Sequence, residues 1–298
     1  MQTTAHARQA AADPVSAADN GGRYAGIAMM VGSGLSNQVG AAVGSLAFPV
    51  IGPAGVVAVR QWMAAVTLLA VGRPRVRSFT WQQWWPVLLL AAVFATMNLS
   101  LYSAIDRIGL GLAVTLEFLG PLAVALARSR RAVDLGCAVI AAAGVVALTR
   151  PQPTTDYLGI GLGLLAAMCW ACYILLNRSV GRRLPGVEGT AAAAGLSGLL
   201  FVPIGIVVLL QHPPTPAALG CAAAAGILAS AIPFLLDMLA LRRVPAHFFG
   251  IFMSINPVLA ATVGLVFLGQ ELQAGEWLSI AAIVTANIVS VVATMRRR

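Results

Sequence analysis

The stretch "LEFLGPLAVALARSRRAVD", Leu116 to Asp134, sets a glutamate and a Gly-Pro pair inside an apolar run that ends in three arginines. A charge at the centre of a membrane helix costs about 2.5–3.5 kcal/mol on insertion scales, and proline breaks the backbone ladder. What the segment gains from both depends first on the medium around it. The chain has 298 residues, 59% of them hydrophobic and 10% charged. Its mean hydropathy is +0.86. A soluble domain carries roughly a quarter charged residues. The composition is that of a multi-spanning membrane protein.

A bilayer-spanning helix needs roughly 20 mostly apolar residues. Ten such runs are legible, near 24–46, 53–72, 84–105, 110–127, 133–149, 157–177, 188–210, 216–240, 246–268 and 275–295. Short separators rich in Pro, Gly or charge divide them, such as "VGRPRVRS", "RPQPTTD" and "QHPPTP". Trp81, Trp84 and Trp85 enter the third run and Trp277 the tenth, as interface aromatics do. Residues 1–23 are polar and Ala-rich, without the apolar core of a signal peptide, and are expected to form a disordered cytoplasmic tail.

The net charge of +9 is carried by arginine alone, because the chain has no lysine. The arginines fall in short clusters between apolar runs, so they are not a nucleic-acid footprint. With the N-terminus inside, every inner loop receives at least two, among them Arg73, Arg75, Arg77, Arg128, Arg130, Arg131, Arg178, Arg182, Arg183, Arg242 and Arg243. The outer side receives only Arg107 and Arg150. The positive-inside rule then puts both termini in the cytoplasm.

An internal repeat runs beneath this pattern. "AIDRIGLGLAVTLEFLGPLAVA" from Ala104 lies over "ALRRVPAHFFGIFMSINPVLAA" from Ala240 at an offset of 136. Arg107, Pro121 and Ala125 match Arg243, Pro257 and Ala261. Five spans per half is an odd number, so the halves have opposite orientations. The expected fold is all-α, ten transmembrane helices as two five-helix inverted repeats, residues 24–150 and 151–298. Secondary transporters built this way bind substrate near the midplane, where the repeats meet.

Three ionisable residues fall inside spans: Arg60, Glu117 and Asp237. Glu117 lies about 12 Å from Gly109 and about 16 Å from Arg128 at 1.5 Å per residue, too deep to reach either interface. Arg60 is close enough to an outer end that snorkelling competes with a site role. Asp237 is five residues from Arg242, so an ion pair with Arg242 or Arg243 competes with substrate contact. At the repeat offset Glu117 faces Met253 and Asp237 faces Leu101, so the scaffold is duplicated and its charges are not. A scaffold role would call for acids in both halves.

Gly120-Pro121 and Asn256-Pro257 occupy one repeat position. Each proline frees a carbonyl about four residues upstream, and within a membrane such backbone persists where it is buried in protein or lines a cavity. Asn98 and Tyr102 in the third run and Trp170 and Tyr173 in the sixth are further candidate contacts. Ser33, Ser36, Asn37, Gln38, Asn177 and Ser254 fit interhelical hydrogen bonds equally well. "CWAC" at Cys169–Cys172 reads as small-residue packing. No zinc spacing, phosphate-binding loop, dinucleotide fingerprint or catalytic triad is legible, which argues against an ATP-driven pump or an enzyme. No metal or cofactor is expected.

These residues resemble the EamA-type exporters of the drug/metabolite transporter superfamily, and within them the bacterial threonine/homoserine exporters. "LEFLGPLAVALARSRRAVD", "MCWACYIL", "SAIPFLLDMLALRRVP" and "SINPVLAATVGLVFLG" carry the likeness, which covers roughly residues 24–295. Glu117, Gly120 and Pro121 match the motif directly. Asp237 stands where those exporters carry glutamate, Asn256 where an acid is expected, and Gln270 where "FLGE" is usual. The resemblance implies inner-membrane efflux of small amino acids in exchange for protons, with spans 3, 4, 8 and 9 around a central cavity.

The expectation is therefore alternating-access export of a small amino acid or related metabolite. Arg60, Glu117, Asp237, Asn98, Tyr102, Trp170, Tyr173 and Asn256 would contact substrate, and Gly120, Pro121 and Pro257 would form hinges. The expected partners are a small-molecule substrate, the lipid bilayer and protons, with a homodimer left open and no nucleic acid. The rival within transport is export of nucleobases, nucleosides or drug-like compounds. A rival of another class is a channel or lipid-handling membrane protein.

Overall fold

The structure is a computed structural model that describes residues 14–127, 156–185, 187–241 and 253–295, with a few positions between 136 and 144. The described residues are mostly helical and contain no strand. In chain order the helices are α1 (Pro14–Ser45), α2 (Phe48–Gly72), α3 (Trp81–Ile108), α4 (Leu110–Glu117), α5 (Leu119–Ala127), α6 (Tyr157–Gly181), α7 (Glu188–Gln211), α8 (Pro216–Gly226), α9 (Ile232–Leu241), α10 (Asn256–Leu268) and α11 (Ala274–Met295). They account for nine of the ten expected spans. Most of the fifth, 133–149, lies outside the described residues. Among the described residues α2, α3, α6 and α7 are each long and apolar enough to cross a membrane.

Two expectations shift at their edges. Helix α1 begins at Pro14, inside the stretch expected to be a tail. Proline suits the first turn of a helix, and Ala17 and Ala18 after it are strong helix formers. The fourth span is two helices, α4 and α5, with the ladder broken at Phe118. Pro121 cannot donate to the carbonyl of Glu117, so the helix restarts just ahead of it.

The most extensive helix packing is between helices distant in the chain. Helix α2 lies on α7, α3 on α6, α1 on α8 and α9, and α4 on α10. The buried seams are made of small residues. A Cβ on Gly198 would stand 2.8 Å from Ala65, and one on Gly111 would stand 2.9 Å from the Ala261 backbone. Such seams let backbones approach where lipid removes the hydrophobic drive between helices. At α5 the backbones come closer still, because a Cβ on Gly120 would overlap the carbonyl oxygen of Ala167 on α6.

The start of α4 is fastened from the other end of the chain. Gln270 Oε1 accepts from the Leu110 amide at 2.9 Å, satisfying one of the four orphan donors of a helix N-terminus. Gly109, immediately before it, has φ of 82°, a conformation that L side chains avoid. Span 8 carries a π-helical turn at Ile227–Ala231 between α8 and α9. Such turns widen the helix by one residue and concentrate at functional sites.

Candidate functional site

Helical spacing builds the site. On α3, Phe94, Met97, Asn98, Leu101 and Tyr102 follow each other at three and four residues, which is one face of a helix. Ser33, Gly34, Asn37, Gln38 and Ala41 do the same on α1. These faces, with Arg60 on α2, Glu117 on α4, Trp170 and Tyr173 on α6 and Asn256 on α10, enclose a cavity of about 280 Å³. Aromatic and apolar side chains form one part of its wall, and amides, hydroxyls, one cation and one acid form another.

Arg60 is held by neutral groups. Nη1 donates to Asn98 Oδ1 at 2.6 Å and Nη2 to the Ala229 carbonyl at 3.1 Å, in the π-helical turn. Its guanidinium carbon lies 4.9 Å from the centre of the Tyr102 ring, within cation–π range. Tyr102 is fully buried, and its hydroxyl has no hydrogen-bond partner among the described residues. Asn98 is fixed in turn by donating to the Phe94 carbonyl at 2.8 Å. Arg60 therefore faces the interior and does not snorkel.

Glu117 is 7% exposed and lines the same cavity. The only ion pair among the described residues is Arg107 with Asp156, so Arg60 and Glu117 share a cavity without pairing. A guanidinium and a carboxyl group thus both line the cavity.

Both ends of the Asn256 amide are engaged. Its Nδ2 donates to the Met253 carbonyl at 2.9 Å, and its Oδ1 accepts from Gln38 Nε2 at 3.3 Å. Met253 is the residue whose carbonyl Pro257 leaves without a helical donor, and the Asn256 side chain supplies one. Pro257 sits in the first turn of α10. Trp170 meets Phe118 edge-on with centroids 4.5 Å apart, and Tyr173 lies 5.5 Å from Phe94.

Of the residues expected from sequence, Arg60, Asn98, Tyr102, Glu117, Trp170, Tyr173 and Asn256 are brought together around this cavity. Gly120 and Pro121 stand one turn below Glu117 on α5. Asp237 lies on α9, but its side chain and Arg242 and Arg243 are outside the described residues. Trp62 does not reach the cavity and lies between α2 and α7 against Gly205. The apolar lining, Phe94, Met97, Leu101, Phe118 and Met253, does not stand out from the apolar runs that contain it. Its signal was the spacing around Asn98 and Tyr102. The three cysteines among the described residues, Cys169, Cys172 and Cys221, are free thiols.

Comparison with known proteins agrees with this architecture. The model of the EamA-like transporter family matches residues 157–292. The threonine/homoserine exporter RhtA of Salmonella typhimurium (strain LT2) is 37% identical over 88% of this chain and 89% of its own length. RhtA of Escherichia coli (strain K12) is 36% identical over 86% and 87%. An uncharacterized transporter of Bacillus subtilis, YwfM, is 25% identical over 69% of this chain and 73% of its own. A solved crystal structure superimposes with a TM-score of 0.59 at 19% identity, covering 93% of this chain and 99% of that one, and shares the fold. The chain belongs to the EamA-like transporter family, as a multi-pass membrane protein of the efflux type.

Proposed function

We propose that the chain exports a small amino acid of the threonine or homoserine class across the inner membrane by alternating access. The observation that carries this reading is that Arg60 and Glu117 line one cavity without pairing with each other. A zwitterion brings one carboxylate and one ammonium. Arg60 offers the carboxylate a planar fork of donors already oriented by Asn98 and Ala229. Glu117 offers the ammonium a buried counter-charge and takes up a proton when the substrate has left. Asp237 acts as a second acid or as a gate pair with Arg242 or Arg243. The cavity, about 280 Å³, is at the small end of ligand pockets, which suits a metabolite better than a drug-sized molecule. The named exporters in two enteric bacteria support the substrate class.

Alternating access needs two units that rock about the site. The packing is reciprocal at the offset of 136: the third span lies on the sixth as the eighth lies on the first. This supports two inverted five-span repeats, 24–150 and 151–298. The arginine bias supports cytoplasmic termini.

Nucleobase export is the second reading, favoured by Trp170 and Tyr173 in the cavity wall. Both rings already touch other aromatics, which leaves less face for stacking. Counterflow in proteoliposomes with labelled threonine, homoserine and a nucleobase panel separates the two. Saturable exchange of the amino acids alone is the expected result. Exchange confined to nucleobases, or conductance without saturable exchange, would overturn the proposal.

A further inference from the structure

Away from the central cavity, α2 and α7 part to leave a second hollow of about 410 Å³, open at the outside of the bundle. Its lining is apolar and includes Ala65, Val66 and Leu69 from α2 and Gly195, Leu199 and Val202 from α7. Val66 and Leu199 are 66% and 65% exposed. Both helices are apolar enough to cross a bilayer, so the medium around the groove is hydrocarbon. From Ala192 to Val202 it runs about 15 Å along the helix axis at 1.5 Å per residue. Trp62 closes its deep end.

The other end opens at a different chemistry. Val76 and Trp84 line the mouth. Trp81 and Trp85 beside them are exposed, as aromatics at headgroup level are. The loop over the mouth carries Arg73, Arg75 and Arg77, all exposed and none in an ion pair with a described residue. Arg183 adds a fourth cation, stacked 4.8 Å from the centre of the Trp85 ring. The acid in this neighbourhood is Glu188, which accepts from the Arg75 backbone amide at 3.4 Å. Positive charge dominates.

We propose that this groove is a binding site for an anionic phospholipid, with one acyl chain between α2 and α7 and the phosphate on the Arg73–Arg77 loop. A slot that opens sideways into hydrocarbon suits a chain of methylenes and not an aqueous solute. An arginine cluster at headgroup depth attracts anionic headgroups and leaves neutral ones indifferent. The lipid would lie along the seam between α2 and α7, so it would hold that seam together. This inference rests on the chain spanning a membrane, not on the substrate assigned to the central cavity.

The test uses the full chain purified in neutral detergent. Melting is followed with added dioleoylphosphatidylglycerol or dioleoylphosphatidylcholine, and bound lipid is counted by native mass spectrometry. The expected result is a rise of several degrees with phosphatidylglycerol only, and at least fivefold more of that lipid retained. Two variants divide the site. Arg73→Gln/Arg75→Gln/Arg77→Gln removes the headgroup charges, and Val66→Trp fills the groove from an exposed position. Each should abolish the preference while melting in detergent alone stays within about two degrees of the parent. Equal stabilisation by both lipids, or a preference that survives both variants, would overturn the proposal. So would loss of a dimer in Val66→Trp without change in lipid retention, which would make the occupant a second copy.

Discussion

Gln61 on α2 donates through Nε2 to the hydroxyl of Ser197 on α7 at 2.7 Å, and the two residues stand 136 positions apart. That interval is the one at which the two halves of the sequence align. In the proposed inverted-repeat arrangement, residues at equivalent positions meet only near the axis that relates the halves. Both side chains are buried, so the bond is made in the dry seam between α2 and α7. In membrane proteins such bonds average about 0.6 kcal/mol and reach about 1.7. A double-mutant cycle of Gln61→Leu and Ser197→Ala, read by unfolding in detergent, should give a coupling in that range. A coupling of zero would remove the bond from the list of contacts that join the halves.

Glu117→Gln keeps shape and hydrogen-bonding capacity but cannot ionise. Arg60 is held by Asn98 and Ala229 and not by Glu117, so the change strands no buried cation. A neutral side chain at that depth is easier to bury. The variant should insert and melt at or above the parent temperature and lose concentrative export in proteoliposomes. Retained export against a gradient would end the assignment of Glu117 to the transport cycle.

Gly120 and Gly161 form a matched pair. A Cβ on Gly120 would overlap the Ala167 carbonyl, a backbone atom that cannot swing aside, whereas one on Gly161 meets nothing within 4 Å. Gly120→Ala should destabilise by about 1–3 kcal/mol or more, as overpacking does. Gly161→Ala should be neutral or stabilising by up to about 1 kcal/mol through helix propensity. Thermal melts of the two proteins side by side check the contrast.

Asp156 caps α6 outside the apolar segment. The Gly159 amide donates to it at 2.8 Å and Arg107 at 2.9 Å, and together they hold its carboxyl below the ordinary aspartate range. A lowered value in the folded state means its contribution is complete above the range where an unfolded aspartate titrates. It is lost as pH falls through the lowered value. Melting between about pH 7 and about pH 3 should lose part of its acid sensitivity in Asp156→Asn, which can still cap the helix. Asp156→Ala should in addition melt lower at neutral pH. An unchanged acid profile in both variants would contradict this.

The arginine bias makes a topological prediction. Reporters fused after Arg75, Arg131, Arg182 and Arg298 should read cytoplasmic, and those after Arg107 and Pro213 external. One inner-loop fusion reading external would break the ten-span arrangement.

Spans with strong apolar runs were legible almost to the residue, since bilayer thickness imposes their length. The run at 188–210 is the helix Glu188–Gln211, and 157–177 lies within Tyr157–Gly181. The break in span 4 was legible because proline acts through local sterics. The π-helical turn at Ile227–Ala231 was not, because "ILASA" differs in no local way from the helix around it. Its carbonyls are taken by distant groups, Ser36 on Leu228 and Arg60 on Ala229, and only the fold brings those near. The site divided the same way. Charged and amide residues stood out against apolar surroundings, while Phe94, Met97 and Leu101 were hidden among residues of their own kind. Gln61, a buried amide in the second run, is as visible in the sequence as Asn98.

The side chain of Asn256 fills the place of the amide hydrogen that Pro257 lacks, and it can do so at any acidity. An aspartate there could donate to the Met253 carbonyl only while it carried its own proton, and on losing it would set a negative charge against that oxygen. A kink built on such an acid would loosen and tighten with each proton gained or lost. With asparagine the kink in the ninth span is deaf to pH. Any proton that times the cycle of this chain must be read elsewhere, and among the described residues the buried acid on the cavity wall is Glu117.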